Sequence, residues 1–558
     1  GGLMPPPPPG AGAPEDDFAG HLMPHAAPSL DQDALSTDLT LLSHEAMHLD
    51  LAVLSASPLV FIHNNRYVPL DSSGVLDFKG ELTLLRSMLS RQAKRVCTRV
   101  DVASTGTLAE VLVQQPRCLY LVCHADYLPP PGGGASQLHL SLEDASGVCD
   151  RVSIERLSAL LRSRVEGPDA AGAVEAEAAV AHVAHESDGL AGVGVVVLGA
   201  CHSLDAGHAF VRAGCKHVVA IASEHKVLDD DAALFARQFL FSLFQGQSVR
   251  EAFERAKGAI ASSASPRFSA GADFRAAESA KFVLLPEADA HDDCPMAELP
   301  AGDLMELNPL PAAEPPTMPA PFVGRALELQ ALVRTLRRRR PAEVRLLTLW
   351  GSRGMGKTAL AKAVAQHLWQ RRFYDDGVAF VELAGVRSEA SALAALSEAL
   401  DMEFARWKDV SRALQRWQGL VVLDGADELI AAAPSVMERA ITSLMHASQL
   451  QCIVTAVRPL SSAIGGGGVP VEHPVQVGPL SRRDAARLFH ALVADALPPG
   501  LRGAANLGAL EQHGLLVQLS GVPRRVLQMV PLVRQGHSLE DLATELRVRG
   551  PEEEEEEE

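Results

Sequence analysis

Eight consecutive residues, Gly351–Thr358, have the types and the spacing of a phosphate-binding loop. They read G-S-R-G-M-G-K-T, and the apolar run Leu346–Trp350 before them predicts a buried strand. A helical pattern of apolar residues follows at once. In this strand–loop–helix context, glycines let successive backbone N–H groups point at phosphate oxygens, and the new helix adds its positive N-terminal end. The sequence therefore predicts a nucleotide site; the alternative is a glycine-rich turn without a ligand.

Two side chains at the end of this loop have chemistry that a bound nucleotide needs. The Lys357 ammonium is expected to reach the β- and γ-phosphates, and the Thr358 hydroxyl is expected to ligate Mg²⁺. The loop residues predicted to contact the nucleotide are Gly351, Gly354, Met355, Gly356, Lys357, Thr358 and Ala359.

A second acidic motif lies downstream. The run Gly419–Asp424 predicts a strand that ends in a carboxylate, which is typical of a residue that binds Mg²⁺ directly or through water. Either Asp427 or Glu428, just beyond it, could orient an attacking water. A later apolar strand ends at Arg458, which is placed to sense a γ-phosphate. The order of these motifs predicts an ATP/ADP site with Mg²⁺ held by Thr358 and Asp424.

This set of motifs resembles the signal-transduction ATPases with numerous domains (STAND), particularly their NB-ARC modules, over residues 319–547. The resemblance implies that Val323, Gly324 and Arg325 lie against adenine and ribose, and that Pro523, in a Gly-x-Pro turn, packs on the base. The stretch Asp424–Glu428 (DGADE) looks more like the related NACHT group, so the subfamily stays open. The resemblance also implies a switch, in which exchange of ADP for ATP opens the module and allows homo-oligomerisation.

A different pair of reactive residues lies upstream. The predicted strands Cys118–Cys123 and Val193–Ala200 are followed directly by His124 and Cys201. Because the carboxyl ends of parallel strands share one sheet edge, these side chains could face each other as an imidazole and an activated thiolate. His124 would then act as general base and later as general acid. The alternative is a buried free cysteine and a structural histidine.

The run Val195–Lys257 and the segment LYLVCHAD resemble the CHAT domain, a caspase-like family in the clan of separase and metacaspases. The resemblance spans residues 51–285 and implies a peptidase dyad at His124 and Cys201. Ala125 stands where the family usually has Gly, and Gly199 stands where metacaspases have an acidic residue. A basic P1 preference therefore does not carry over. Candidates for a specificity pocket are Asp126, Asp205 and Glu224.

The elements that must position these residues alternate along the chain, which predicts an α/β fold. We expect a caspase-like α/β/α domain with a mostly parallel sheet, then a P-loop NTPase α/β domain, then a helical domain. The predicted boundaries are a disordered Pro/Gly-rich tail (1–38), the CHAT domain (39–286), a Pro/Ala/acidic linker (287–320), the ATPase domain (321–465), the helical domain (466–548) and an acidic disordered tail (549–558).

Composition narrows the function further. The 558 residues carry a net charge of −19, of which Glu552–Glu558 supplies −7, and this acidity argues against a nucleic-acid surface. Eight cysteines occur without C-x-x-C pairs, and neither a secretory signal nor an apolar run of membrane-spanning length is present in the sequence. We therefore expect a cytoplasmic protein with reduced thiols and no membrane partner.

Taken together, the sequence predicts a signalling ATPase switch that controls a CHAT cysteine peptidase acting on protein substrates. One alternative is a nucleotide-dependent scaffold with a catalytically inactive CHAT domain. Another is a conventional P-loop ATPase joined to an unrelated α/β domain. The peptide substrate, the upstream signal and the oligomer size are not encoded in any motif.

Overall fold

The computed structural model describes residues 48–70, 78–129, 134–144, 146–162, 190, 192–222, 227–263, 272–337, 344–463, 471–503 and 506–549. The tail predicted for 1–38 and, apart from Arg549, the tail predicted for 549–558 lie outside these residues.

The strands are β1 (Leu51–Ser55), β2 (Val60–His63), β3 (Arg66–Pro69), β4 (Val96–Val102), β5 (Cys118–Val122), β6 (His124–Leu128), β7 (Gln137–Glu143), β8 (Cys149–Ser153), β9 (Val195–Gly199), β10 (His217–Ile221), β11 (Phe282–Leu285), β12 (Leu304–Glu306), β13 (Leu346–Trp350), β14 (Gly377–Glu382), β15 (Gly419–Asp424), β16 (Gln451–Ala456) and β17 (Glu472–Gln476).

The helices are α1 (Phe78–Ser90), α2 (Thr105–Val113), α3 (Ile154–Arg162), α4 (Leu204–Arg212), α5 (Asp229–Phe244), α6 (Val249–Ser262), α7 (Ala272–Ala280), α8 (Ala326–Leu336), α9 (Lys357–Gln370), α10 (Glu389–Leu400), α11 (Trp407–Ala413), α12 (Asp427–Ala432), α13 (Pro434–Met445), α14 (Leu460–Ala463), α15 (Arg482–Val493), α16 (Leu507–Gln512), α17 (Gly514–Gln518), α18 (Pro523–Arg534) and α19 (Leu539–Arg549), with a 3₁₀ turn at Pro499–Leu501.

The N-terminal domain is built on a seven-stranded sheet in the order β11-β10-β9-β5-β1-β4-β12. All neighbours are parallel except β10 and β11. Successive residues of β1 enter opposite cores: Ala52 and Leu54 pack on one face, and Leu51 and Val53 on the other. Both faces are therefore covered, which explains the continuous apolar strands of the sequence. The predicted mostly parallel α/β sheet is confirmed.

The P-loop domain has a five-stranded parallel sheet in the order β14-β15-β16-β13-β17. Its strand β13 alternates in the same way, with Leu346 in one core and Leu347 and Leu349 in the other. The C-terminal helices enclose a separate apolar cluster around Phe489. The predicted P-loop NTPase architecture with helices after it is confirmed.

Three short elements differ from the sequence expectation. The mostly apolar run 51–62 is typical of one strand, but Pro58 interrupts it, so β1 and β2 are separate and β2 pairs with β3 in a hairpin. That hairpin turns at Asn64 and Asn65, which both have left-handed backbone angles (φ 49° and 58°). Residues 472–476, predicted to be part of a mainly helical region, form β17. Pro474 cannot donate a ladder hydrogen bond and suits this edge position.

The segment 287–320, predicted as a linker, forms a strap that contacts both the seven-stranded and the five-stranded sheet. Its strand β12 pairs in parallel with β4, and the Asn308 amide exchanges two hydrogen bonds with the Val100 backbone (3.0 and 3.1 Å). Farther along, Val378 N–H donates to the Ala313 carbonyl (2.9 Å) at the edge of β14. Three strand residues are too few for a period to be visible in the sequence, which is why β12 was not predicted.

The residues from His48 onward form one compact unit. A buried ion pair links the P-loop domain to a small three-stranded antiparallel sheet, β6-β7-β8, of the N-terminal domain. Glu143, at the end of β7, is 1% exposed and pairs with Arg371 just after α9 (2.8 Å). Nearby, His367 of α9 is buried, and a Cβ at Gly147 would lie 3.0 Å from its Nε2 atom. Among the described helices, none is long and apolar enough to cross a membrane.

Burial of His367 gives a pH dependence that can be measured. Burial, and then the cations of Arg371 and Arg337, hold the pKa of His367 well below its usual range. The unfolded chain binds this proton near pH 6.5 and the folded chain does not, so acidification favours unfolding by about 1.4 kcal/mol per pH unit below that point. We expect the His367→Leu variant to lose this part of the slope between pH 6.5 and 5 in urea unfolding.

The matched control for that measurement is His446→Leu, at an exposed histidine that follows α13. It should keep the slope of the unsubstituted protein. An unchanged slope in His367→Leu would contradict the assignment of a neutral buried imidazole.

Candidate functional site

The loop Gly351–Thr358 joins β13 to α9 with the geometry that a phosphate cradle requires. Gly356 is the residue before the helix and has a left-handed backbone (φ 86°, ψ 25°), which a side chain would strain. A Cβ at Gly351 would lie 2.5 Å from the Val477 carbonyl oxygen. Both positions therefore need glycine, and the loop presents the N-terminal end of a 14-residue helix.

Asp424, at the tip of β15, reaches this loop across an intervening strand. Its Oδ1 atom accepts hydrogen bonds from the hydroxyls of Thr358 (2.9 Å) and Thr455 (2.7 Å). Thr455 belongs to β16, which separates β15 from β13, and its own hydroxyl accepts from Gly425 N–H (2.7 Å). The two residues predicted to hold Mg²⁺ are thus in direct contact. A hydroxyl and a carboxylate are oxygen ligands that suit this ion, so the residues fit the metal.

The predicted phosphate ligand Lys357 contacts the backbone of its own loop. The Lys357 ammonium donates to the carbonyls of Gly351 (2.7 Å) and Ser352 (3.0 Å). Burial lowers the pKa of Lys357, while the carboxylates of Asp427 and Asp424 act in the opposite direction. Lys357 is therefore a partly desolvated cation at the mouth of the loop, where it can pair with phosphate.

The two acidic residues after Asp424 have different surroundings. Asp427 accepts from the Val457 backbone N–H (2.6 Å), and its charge acts on Lys357. Glu428 pairs instead with Arg387 (2.8 Å) and accepts from Gly385 N–H (3.3 Å), and these contacts lower its pKa. The structure thus engages Glu428 with the loop after β14. Arg458 lies exposed just beyond β16.

The entry segment, residues 323–325 before α8, contacts the same loop. Arg325 is buried, and its guanidinium donates to the carbonyls of Met355 (3.1 Å) and Gly478 (2.5 Å). Gly324 has a left-handed backbone, and Val323 packs half-buried against the helical cluster around Phe489. The Arg325 side chain therefore connects the entry segment to the loop by hydrogen bonds to backbone carbonyls, a role that the sequence did not predict.

Helix α18 also lies on the loop. Arg524 N–H donates to the Gly354 carbonyl (3.2 Å), and a Cβ at Gly356 would lie 3.7 Å from Pro523 Cγ. The predicted Pro523 is thus beside the phosphate loop. The contact of Arg524 had no sequence signal, and Thr455 was recognisable only as a hydroxyl near the end of its strand.

The upstream residues His124 and Cys201 lie at the same edge of the seven-stranded sheet. In the parallel pairing of β5 with β9, Val122 lies opposite Gly199, so His124 and Cys201 each follow two residues beyond a matched pair. Both are half-buried, and the Cys201 thiol lies 3.9 Å from the Val227 carbonyl oxygen. His124 also begins β6, where it pairs with Ser141 of β7.

Most of the other thiols differ from Cys201 in their exposure, whereas Cys149 is half-buried like Cys201, and burial raises its pKa. Burial raises the pKa of Cys123, Cys215 and Cys452 to about 12, and it also raises the pKa of Cys118. Cys97 is buried and Cys294 is exposed away from the strand ends. Among the pocket candidates, Asp205 accepts from the Tyr127 hydroxyl (3.0 Å), Asp126 is exposed, and Glu224 lies outside the described residues.

Comparison with known families supports both parts of the chain. Residues 76–296 match the CHAT domain, and residues 321–501 match the AAA ATPase domain. The chain therefore combines a CHAT domain with an AAA-type P-loop ATPase domain, as predicted at that level. NB-ARC or STAND membership stays a prediction.

Relatives and solved structures cover only part of the chain. This chain is 28% identical over 202 residues to proteins of Mycobacterium bovis and Mycobacterium tuberculosis that carry the provisional name HTH-type transcriptional regulator. The match spans 34% of this chain and 21% of the relatives, about a fifth of their length.

Three solved structures are similar to the chain over part of its length. Drosophila ORC bound to DNA has a TM-score of 0.29 and 15% identity, covering 37% of this chain and 60% of that one. The Walker-type ATPase of Pyrococcus abyssi has a TM-score of 0.27 and 16% sequence identity, and the match covers 43% of this chain and 79% of that one. Aeropyrum pernix ORC1 in complex with DNA has a TM-score of 0.31 and 17% sequence identity, and the match covers 41% of this chain and 66% of that one. With TM-scores near 0.3 we draw no functional argument from them.

The contact of Thr455 with Asp424 can be tested by stability. Thr455 is 1% exposed, so Thr455→Val leaves the part-buried Gly425 N–H without its partner and removes one donor from Asp424. We expect a loss of about 1–3 kcal/mol in the free energy of unfolding, measured with urea. The control Thr442→Val removes a hydroxyl that donates to the Glu438 carbonyl on a helix and should cost within about 0.5 kcal/mol. Equal losses in the two variants would contradict the proposed bond network.

Proposed function

We propose that this protein is a nucleotide-controlled signalling protein in which an ATP/ADP switch of the STAND type regulates a CHAT cysteine peptidase. The observation that carries the switch is the contact between Thr358 and Asp424 at the N-terminal end of α9 (2.9 Å). A carboxylate and a hydroxyl at a phosphate loop form a site for a magnesium nucleotide rather than a structural turn. The name of the matching family, AAA ATPase domain, supports the same chemistry.

In this proposal the chain's own residues divide the work on the nucleotide. Backbone N–H groups of the loop and the Lys357 ammonium would hold the phosphates, and Thr358 and Asp424 would hold Mg²⁺, which neutralises phosphate charge. Asp427, rather than the Arg387-paired Glu428, is the better placed residue to orient water. Arg458 would sense the γ-phosphate. The contact of α18 with Gly354 and Gly356 supports a switch, because one loop then touches both the sheet domain and the helical domain.

The peptidase half of the proposal uses His124 and Cys201. The His124 imidazole would take the Cys201 proton, the thiolate would attack the peptide carbonyl, and His124 would return the proton to the leaving amine. Backbone N–H groups near Cys201 and Ala125 would stabilise the oxyanion. Water would then hydrolyse the thioester and release the acid product and the free thiol. The shared sheet edge and the match to the CHAT domain support this assignment.

We further propose protein substrates, nucleotide-dependent homo-oligomerisation and a cytoplasmic location. We do not extend to this chain the DNA binding that the two ORC structures show, because a net charge of −19 opposes phosphate contacts.

The switch predicts a specific effect of the loop lysine. Lys357→Ala should weaken ATP and ADP binding by about 10–100-fold, since each charge-assisted hydrogen bond contributes about 1.5–3 kcal/mol. Equilibrium titration with a fluorescent ATP analogue measures this. The control is Lys362→Ala on the same helix, whose ammonium lies over the Phe380 ring instead. Unchanged affinity in Lys357→Ala, or an equal loss in the control, would contradict the assignment.

The peptidase predicts labelling by a thiol-directed peptide electrophile in the presence of ATP. Labelling should vanish in Cys201→Ala and fall by about 100-fold or more in His124→Ala, the usual contribution of a general base. Cys294→Ala removes an exposed thiol and should leave the labelling unchanged. Labelling that is insensitive to both dyad substitutions rejects the peptidase and leaves a CHAT scaffold on a nucleotide switch.

A further inference from the structure

Helix α9 connects the nucleotide site to the N-terminal domain. Its first two residues, Lys357 and Thr358, are the last two of the phosphate loop, and the residue after its last turn is Arg371. Fourteen helical residues span about 21 Å. A rigid element of this length leads from the nucleotide site to the N-terminal domain without an intervening loop.

At its far end the helix holds a bidentate ion pair. Arg371 donates through Nε to Glu143 Oε2 (3.0 Å) and through Nη2 to both carboxylate oxygens (2.8 Å each). Glu143 Oε1 also accepts from Ser57 N–H (2.7 Å), and the side chains of Glu143 and Arg371 are only 1% and 11% exposed. Separating such a pair leaves a buried charge without a partner, which is strongly unfavourable.

The strand that carries Glu143 also contacts the candidate peptidase base. In β7, Ser141 lies directly opposite His124 of β6, two residues before Glu143. The path from Arg371 to His124 therefore passes through one side chain and one antiparallel strand pair.

Adjacent contacts leave little room for α9 to move independently. Arg372 donates to the Asn308 carbonyl of the strap (2.6 and 3.0 Å), and a methyl group at Gly147 would crowd His367. Packed interfaces of this kind change between discrete arrangements rather than deform continuously.

We propose that α9 transmits the nucleotide state of the phosphate loop to His124 through the Arg371–Glu143 ion pair and β7. Since breaking the pair is unfavourable, a displacement of α9 caused by phosphate binding must displace β7. Arg371 and Glu143 are positioning residues here. The inference rests on the proposed function of the nucleotide site and concerns the regulation of the proposed peptidase site.

The test compares the full chain with Glu143→Gln/Arg371→Met, which removes both charges together and leaves neither unpaired. Hydrogen exchange of residues 137–143 is measured with ADP and with a non-hydrolysable ATP analogue. We expect exchange rates in the unsubstituted chain to differ between the two nucleotides by about 5-fold or more, and no difference in the double variant. Nucleotide affinity should stay within about 3-fold, because the pair lies at the opposite end of the helix from the phosphates.

The control Arg439→Met removes an exposed ion pair with Glu389 in the same domain and should keep the nucleotide response. If the double variant does not fold, Arg371→Lys keeps the charge, loses the bidentate geometry and should reduce the response. Exchange of β7 that is equal with both nucleotides in the unsubstituted chain, or a response that persists in the variant, overturns the coupling.

A separate readout distinguishes this inference from the proposed peptidase. The rate of Cys201 alkylation is followed in the same samples. A nucleotide response of β7 together with labelling that does not depend on His124 supports the coupling and rejects the peptidase. Labelling that depends on His124 while β7 ignores the nucleotide rejects the coupling and supports the peptidase.

Discussion

The ATPase domain depends on one carboxylate oxygen, Asp424 Oδ1, that two hydroxyls from different segments share. Thr358 comes from the phosphate loop and Thr455 from the strand between the loop strand and the Asp424 strand. This convergence is possible because all of these strands are parallel and end at one edge. The position of the loop, the start of α9 and the arrangement of the acidic residues all follow from that edge.

The N-terminal domain uses the same constraint for a different chemistry. Register between β5 and β9 brings His124 and Cys201 to the carboxyl edge of the sheet. Burial distinguishes the thiols, because a cysteine in the hydrophobic core, such as Cys123 or Cys215, keeps its proton at neutral pH. The same fold thus places the Cys201 thiol at the sheet edge and keeps the thiols of the core protonated.

The connection between the domains is as ordered as the domains themselves. The strap extends one sheet through β12 and reaches the other at Ala313, while Arg371 and Arg372 hold the end of α9. A buried ion pair contributes little net stability, but it defines a geometry, since any rearrangement that separates the charges is costly. A helix with a phosphate loop at one end and such a pair at the other is suited to carry a displacement.

The sequence by itself determined the motifs and the local elements. Strands β13 and β15 lie where the apolar runs predict them. The phosphate loop, the α/β class and the two kinds of domain were also predictable from the sequence. These features are local, because periodicity and glycine spacing act over a few residues. Only the tertiary structure decided that Glu428 pairs with Arg387, that Thr455 supports Asp424, and that Glu143 meets Arg371. The last two residues lie 228 positions apart in the chain. No local pattern encodes such a contact, because it forms only when the end of α9 packs against the N-terminal domain.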